Sequence, residues 1–243
     1  MIKAIVTGHS SGLGAALAET LLARGVPVLG LSRRANPDLR APGLTQHAID
    51  LSEAGTLEGW LAGPDLADFV KDAGTALLIN NAGQLQPVAL CGAQDSALIA
   101  AAIRLNLSAP LLLANAFVAA TTGCTERRIV HISSGAARNP YAGWSVYGAT
   151  KAGLDQHARA VAQEGIPGLR IASLAPGVVD TPMQGEVRAS DPAHFPQHAR
   201  FAALKHDGQL SAPADVAHRL VAHLLGERFG EWLDGDLRSL PAA

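Results

Sequence analysis

The chain has 243 residues, of which 48% are hydrophobic and 16% are charged, with a formal net charge of −2. This apolar content, with a charged fraction below the usual value of about 25%, excludes a mainly disordered chain. It supplies the core of a single domain over residues 1–243. The near balance of basic and acidic side chains gives no electrostatic reason to expect nucleic acid or a membrane surface as a partner. A small, uncharged molecule is therefore the expected partner.

The sequence predicts neither a membrane span nor a disulfide framework. Its longest apolar stretch, 110–120, is shorter than the roughly 20 residues that a spanning helix needs. Cys91 and Cys124 are the only cysteines, so a reducing cytoplasm is the expected compartment.

The predicted elements alternate between strands and helices. Short runs rich in Val, Ile and Leu, separated by segments with helical spacing, indicate parallel strands covered by helices on both faces. The predicted strands are 3–7, 26–31, 46–50, 76–80, 128–133, 170–175 and 231–233. The predicted helices are 13–24, 53–61, 96–121, 146–164 and 214–225. The fold class is therefore α/β, with a doubly wound parallel sheet.

An irregular stretch is predicted at 182–210, after the sixth strand. Ligands of open α/β sheets bind at the carboxyl ends of the strands, and long irregular insertions are more often functional than idle. We therefore expect a substrate lid here.

The turn between the first strand and the first helix is rich in glycine. Glycines permit a sharp turn and close approach to a pyrophosphate, and a helix N-terminus attracts anions. The spacing is G-x-x-x-G-x-G, without the Lys-Ser/Thr of a triphosphate loop. The expected cofactor contacts in this turn are Gly8, Ser10, Ser11, Gly12, Leu13 and Gly14. The alternative is a turn that serves only helix–sheet packing.

The end of the second strand predicts the choice of dinucleotide. An acid there usually binds the ribose 2′-OH of NAD, but this chain has Ser32, Arg33 and Arg34. Because guanidinium groups suit a 2′-phosphate, NADP(H) is the expected cofactor and NAD(H) the second choice. Alternatively, both arginines only solvate a loop. Asp50 and Leu51 follow at the expected adenine position, where an Asp also serves as a helix cap.

Tyr147 and Lys151 are four residues apart in a predicted helix, so their polar ends lie on one face. A nearby ammonium lowers the pKa of a phenol from about 10, which would make Tyr147 a usable proton donor. Ser134 follows the strand 128–133 and faces the same crevice. A Tyr–Lys pair by itself is equally compatible with a surface pair of no function.

Several motifs occur in a characteristic order. They are Thr7-Gly8-x-x-x-Gly12-x-Gly14, Asn80-Asn81-Ala82-Gly83, Asn106, Ser134, Tyr147-x-x-x-Lys151 and Pro176-Gly177-x-x-x-Thr181. Together they resemble the short-chain dehydrogenase/reductase family over nearly the whole chain. The segments 134–147, 180–184 and 208–213 resemble its sepiapterin reductase and benzil reductase branch.

The resemblance implies a Rossmann-type fold and an NADPH-dependent carbonyl reductase. Tyr147 would give its proton to the substrate carbonyl oxygen, and Ser134 would hydrogen-bond that oxygen. Lys151 would hold the nicotinamide ribose and tune Tyr147, while Asn106 would hold a water that links Lys151 to solvent. Asn106 is alternatively a polar residue bonded to backbone inside its helix. Further implied cofactor contacts are Asn80, Ala82, Gly83, Pro176, Gly177, Val179 and Thr181.

The resemblance leaves the substrate less defined. NADP-selective members often have a basic residue before the second glycine, where this chain has Ser11, so the preference depends on Arg33 and Arg34. Trp144 and Met183 are the expected substrate contacts and favour an aromatic ketone or dicarbonyl, although Trp144 can equally pack the loop.

Other readings stay open. By resemblance to sepiapterin-type enzymes, the carboxylate of Asp234 or Asp236 could bind the guanidine-like edge of a pterin, but a solvated turn is the simpler interpretation. A 3-oxoacyl thioester reductase, another alcohol dehydrogenase of the family and a non-catalytic NADP-sensing module are the alternative functions. No metal is expected, because His194 and His198 lack a third ligand at a suitable spacing. The two long helices, 96–121 and 146–164, resemble the family's dimer-forming pair, and this resemblance implies a homodimer or homotetramer.

Overall fold

One parallel sheet organises the chain, which is described over residues 1–241 by a computed structural model. Its strands are β1 (Ile2–Thr7), β2 (Val28–Ser32), β3 (Leu44–Ala48), β4 (Thr75–Asn80), β5 (Glu126–Ile132), β6 (Leu169–Ala175) and β7 (Asp234–Asp236). The sheet order is β3-β2-β1-β4-β5-β6-β7, and every pair is parallel. The order reverses between β1 and β4, which is where such sheets open a ligand crevice.

Helices cover both faces of the sheet. They are α1 (Gly12–Ala23), α2 (Thr56–Leu61), α3 (Asp65–Val70), α4 (Ser96–Ile103), α5 (Ala109–Ala120), α6 (Ser145–Gln163), α7 (Pro182–Ala189), α8 (His198–His206) and α9 (Pro213–Leu225). Successive strand residues point to opposite faces, so Val6 packs in one core with α1 and α9 while Ile5 packs in the other with α5. The predicted doubly wound, Rossmann-type fold is confirmed.

Two predictions about the C-terminal third were wrong. The stretch 182–210 is not irregular, since it contains α7 and α8. These helices are short and bury few apolar residues, so their periodicity is weak in the sequence. The last strand is β7 rather than 231–233, because the apolar Leu233 only accepts the first hydrogen bond from Ser173 and the polar segment behind it pairs with β6.

A third apolar cluster joins the segment before α6 to the pair α7–α8. Trp144 stacks on Phe195 with ring centroids 4.5 Å apart and an interplanar angle of 12°. Phe195 is fully buried, and Phe201 packs against both rings. The α7–α8 segment is therefore held on the fold by aromatic packing.

The helical run Ser96–Ala120 contains α4, a π-helical segment at Arg104–Ser108 and α5. At 25 residues it is long and apolar enough to cross a membrane by length and composition. The core helix of a water-soluble fold passes the same test, and α5 packs on β4 and β5. The π-helical segment carries the fully buried Asn106, so this helix contributes to the interior of the fold.

Asp155 of α6 is a buried carboxylate that joins three parts of the fold. Its Oδ1 accepts hydrogen bonds from Ser133 Oγ at 2.6 Å and Ser173 Oγ at 2.7 Å. Its Oδ2 accepts from Arg138 Nη1 at 2.7 Å. Removing one partner of a buried ion pair leaves the others unsatisfied, which is costly.

We predict that Asp155→Ala lowers the free energy of unfolding by about 3 kcal/mol, because two hydroxyls and a guanidinium lose their acceptor. The matched control is Asp234→Ala, which breaks the more exposed pair of Asp234 with Arg159 and should cost less than about 1 kcal/mol. Urea denaturation measures both. Equal, small losses would contradict the structural role of Asp155.

Candidate active site

A cleft of about 1090 Å³ lies at the carboxyl ends of the strands. The residues expected from the sequence to form the site line this cleft, with the exceptions of Asn80 and Asn106. They come from the segments after β1, β2, β3, β4, β5 and β6 and from α6 and α7. The fold therefore brings together residues that are far apart in the sequence.

The turn between β1 and α1 requires its glycines. Gly8 and Gly12 have φ angles of +71° and +55°, in the left-handed region that other residues avoid. A Cβ on Gly14 would lie 2.1 Å from the Gly8 carbonyl oxygen, so no side chain fits there. The Ser11 side chain makes no capping hydrogen bond to α1. The first N–H groups of α1 remain available to an anion, and this end of the cleft fits a pyrophosphate.

The segment after β2 presents two exposed arginines, Arg33 and Arg34, to the cleft. The Ser32 hydroxyl instead donates to the Arg34 carbonyl oxygen at 2.6 Å. Ser32 thus shapes the segment and also lines the cleft. Burial acts to raise the pKa of Asp50, but two hydrogen bonds from Ser52 and the charge of Arg33 outweigh it and leave that pKa lowered.

Tyr147 and Lys151 lie on one face of α6, both buried. Lys151 Nζ donates to the Ile132 carbonyl oxygen at 2.8 Å and lies 5.7 Å from the Tyr147 ring centroid. Burial lowers the pKa of Lys151 to about 8, against the charge of Asp155, which acts to raise it.

The expectation that Lys151 lowers the pKa of Tyr147 does not hold in this geometry. Burial raises the pKa of Tyr147 above its ordinary value of 10.0, and the hydrogen bond with Ser134 acts in the opposite direction without cancelling that effect. The loss of water around the phenol is the dominant effect, because it penalises the charged tyrosinate. A phenol with a raised pKa keeps its proton at neutral pH, so Tyr147 is suited to donate it.

Asn106 lies beneath the cleft. Its Oδ1 accepts from the Gln84 backbone N–H and its Nδ2 donates to the Gln84 carbonyl oxygen, each at 2.8 Å. A Cβ on Gly83 would lie 3.3 Å from Asn106 Oδ1 and 3.6 Å from Lys151 Nζ. The side chain therefore fixes the segment after β4 beside Lys151.

The structure changes the assignment of one residue that was expected to bind the cofactor. The Asn80 side chain is buried and donates to the Pro110 carbonyl oxygen at 3.4 Å, away from the cleft. Asn81 lines the cleft instead, with Nδ2 donating to the Thr7 carbonyl oxygen at 3.0 Å. The Asn-Asn pair at the end of β4 signals a site but does not tell which residue faces it, because neighbouring side chains of a strand point to opposite sides.

Three charged residues line the substrate end of the cleft: Asp236, which the sequence analysis considered, and Arg138 and Arg238, which it missed. Arg238 Nε and Nη2 donate to the two Asp236 carboxylate oxygens at 2.9 and 2.7 Å, and Arg138 is paired with Asp155. Asp234 pairs with Arg159. Both acids considered for a pterin are thus in ion pairs, whereas Arg200, which also lines this end, is exposed and has no ion pair within the described residues.

Trp144 packs the loop and also lies in the wall of the cleft. It is 6% exposed and packs on Phe195, yet it also lines the cleft beside Met183 and Phe201. The substrate end of the cleft is consequently aromatic and apolar, beside the ion-paired Arg138 and Arg238 and the exposed Arg200.

Comparison with known proteins agrees with this architecture. The family model described as short chain dehydrogenase matches residues 3–192. Benzil reductase ((S)-benzoin forming) of Bacillus cereus is 35% identical over 237 residues, which cover 93% of this chain and 94% of that protein. Sepiapterin reductase of Meriones unguiculatus is 33% identical over 247 aligned residues, and the match covers 93% of this chain and 92% of that protein.

A solved structure agrees as well. A short-chain dehydrogenase/reductase from Burkholderia vietnamiensis is 44% identical, covers 99% of this chain and 98% of its own, and superposes with a TM-score of 0.72. The chain therefore belongs to the short-chain dehydrogenase/reductase family and is an NAD(P)-dependent oxidoreductase acting on CH–OH and C=O groups.

Proposed function

We propose that the protein is an NADPH-dependent carbonyl reductase that acts on aromatic ketones or dicarbonyls. One observation carries the proposal: the buried Tyr147 lies beside Lys151 and Ser134 in the same cleft whose far end carries Arg33. A proton donor and an adenine-ribose phosphate site in one cleft are what such a reaction needs.

The cofactor would be held by the turn between β1 and α1, by Arg33 and Arg34, and by the segments after β4 and β6. Specifically, Asn81, Ala82 and Gly83 follow β4, and Pro176, Gly177, Val179 and Thr181 follow β6. When bound, the reduced nicotinamide supplies a hydride.

The chain supplies the proton and orients the carbonyl. Ser134 Oγ donates a hydrogen bond to the substrate oxygen, and the Tyr147 hydroxyl transfers its proton to that oxygen as the alcohol forms. General acid catalysis of this kind contributes about 10²–10⁴ in rate. Lys151 stabilises the tyrosinate that is left, and it carries its charge below its pKa of about 8 and loses it above.

Support for an aromatic substrate comes from the lining. Trp144, Phe201 and Met183 offer aromatic and sulfur surface, while Arg138 and Arg238 are engaged by carboxylates and leave no free cation pair for an anionic substrate. Benzil reductase is among the relatives. The pair α7–α8 would act as the lid over this end, within one domain.

The presence of Tyr147, Lys151 and Ser134 together argues against a module that only senses NADP. A homodimer or homotetramer would cover Leu98, Ile103 and Leu112, which are exposed along Ser96–Ala120. Cys91 and Cys124 are free thiols, which suits the cytoplasm.

We predict that Tyr147→Phe reduces kcat at least a hundredfold, because the substrate oxygen loses its proton donor. The Kd of NADPH, measured by its fluorescence, should change less than twofold. The matched control is Tyr141→Phe, which removes the second tyrosine hydroxyl of the cleft and should leave kcat nearly unchanged. A Tyr147→Phe enzyme with ordinary turnover would refute the assignment.

We predict at least tenfold tighter binding of NADPH than of NADH, which Arg33→Ala removes. A charge-assisted hydrogen bond contributes about 1.5–3 kcal/mol, and about 1.4 kcal/mol corresponds to tenfold. Arg40→Ala is the control, since Arg40 is exposed nearby but does not line the cleft. If Arg33→Ala leaves the ratio of the two Kd values unchanged, the 2′-phosphate site is misplaced.

We predict that benzil and a 1-phenyl-1,2-dione give higher kcat/KM than acetoacetyl thioester, with NADPH consumption as the readout. The reason is the aromatic lining around Trp144 and the ion pairs that engage Arg138 and Arg238. A tenfold preference for the thioester would favour a 3-oxoacyl thioester reductase instead.

A further inference from the structure

His9 follows the first glycine of the turn, yet it faces away from the cleft. Its side chain is fully buried beside β2 and does not line the cleft. Gly30, in the middle of β2, leaves the space that the ring fills, because a Cβ there would lie 2.5 Å from the imidazole. Glycine inside a strand often marks such a close approach. The pair His9–Gly30 therefore joins the glycine turn to the strand that ends at the arginines.

One side of the imidazole reaches the start of the arginine segment. His9 Nδ1 lies 3.2 Å from Ser32 Oγ. His9 Nδ1 and the Arg34 carbonyl oxygen, which lies 2.6 Å from the hydroxyl, are both acceptors and share its single proton. The ring is thus connected through one side chain to the backbone between Arg33 and Asn36.

The other side of the imidazole reaches the end of that segment. Gln46 Oε1 accepts from the Asn36 backbone N–H at 2.7 Å, and Gln46 Nε2 donates to the Asn36 carbonyl oxygen at 3.3 Å. These two bonds fix which amide atom faces His9, so His9 Nε2 donates to Gln46 Oε1 at 2.8 Å. Asn36 in turn accepts from the backbone N–H groups of Asp38 and Leu39.

The segment Ser32–Asn36 has buried ends and an exposed centre. Ser32 and Asn36 are 6% and 8% exposed, whereas Arg33 and Arg34 between them are exposed. Arginine side chains lose much rotamer freedom when they bind, and their planar groups need a defined direction. A fixed backbone on both sides of the arginines limits this entropy loss, and His9 is the group to which both ends connect.

We propose that His9 is a positioning residue that sets the selectivity for a 2′-phosphorylated dinucleotide by holding both ends of the segment Ser32–Asn36. It makes no contact of its own with the dinucleotide and acts through Ser32 and Gln46. The proposal rests on the proposed role of Arg33 at the 2′-phosphate.

The test compares the Kd of NADP⁺ and NAD⁺, measured by titration calorimetry on the full chain. For His9→Ala we expect the Kd of NADP⁺ to rise at least fivefold while that of NAD⁺ changes less than twofold. Gln46→Met should have the same selective effect, although Gln46 lies on β3 outside the cleft. This milder variant keeps the test decisive if His9→Ala fails to fold.

Variants at Gly30 distinguish the contribution of the His9 hydrogen bonds from that of His9 packing. Gly30→Ala places a methyl where the His9 ring lies and should also lower the preference for NADP⁺. The double variant His9→Ala/Gly30→Ala refills part of the space without the hydrogen bonds, so its Tm should exceed that of His9→Ala while its preference stays low. A preference restored in the double variant would overturn the proposal, because packing alone would then be sufficient.

The remaining outcomes are distinguishable. If His9→Ala weakens the binding of NADP⁺ and of NAD⁺ equally, the proposal is overturned, since His9 would then only support the glycine turn. The proposal is also overturned if His9→Ala leaves both Kd values unchanged. If Arg33→Ala removes the preference and His9→Ala does not, the proposed function stands and the role of His9 fails. A wild type without preference for NADP⁺ contradicts both.

Discussion

The junction between β1 and β4 at the reversal of strand order supports both halves of the cleft. Thr7 Oγ1, at the end of β1, accepts hydrogen bonds from the backbone N–H groups of Asn81 and Ala82, each at 2.9 Å. The Asn81 amide donates back to the Thr7 carbonyl oxygen. These bonds hold the glycine turn against the segment after β4. A shift of either strand would move the anion site at the glycine turn relative to the segment after β4, which passes Lys151. The shape of the cleft therefore depends on a fixed distance between these two segments.

Burial of charge is the second constraint. Tyr147, Lys151 and Asp155 recur every fourth residue along one face of α6, under the aromatic cluster. Desolvation raises the pKa of the phenol and lowers that of the ammonium, so both groups move toward their neutral forms. The same burial makes the Asp155 hydrogen bonds necessary, because an unpaired buried carboxylate is costly. Chemistry and stability therefore depend on one desolvated helix face.

Particular residues show where sequence reasoning succeeded and where it failed. The glycines of the first turn, the Tyr147–Lys151 spacing and the serine after β5 are local patterns with local physical causes, and the fold brings them into one cleft. Asn80 was assigned to the cofactor although Asn81 lines the cleft, because the exact twist at the end of β4 decides which amide is exposed. Arg138 was missed because its partner Asp155 is 17 residues away along the chain, and Arg238 was missed although its partner Asp236 is only two residues away, because the fold alone brings the C-terminal segment to the cleft.

The sequence alone determined the alternation of strands and helices, and with it the parallel sheet, because hydrophobic periodicity and glycine positions act over a few residues. It also determined the family, since the motifs occur in a fixed order. Only the tertiary structure decided the direction of the pKa shift of Tyr147, the helical form of α7 and α8, and the connection of His9 to the arginine segment. Desolvation, aromatic packing and hydrogen-bond networks arise when distant segments meet, and no local pattern encodes their geometry.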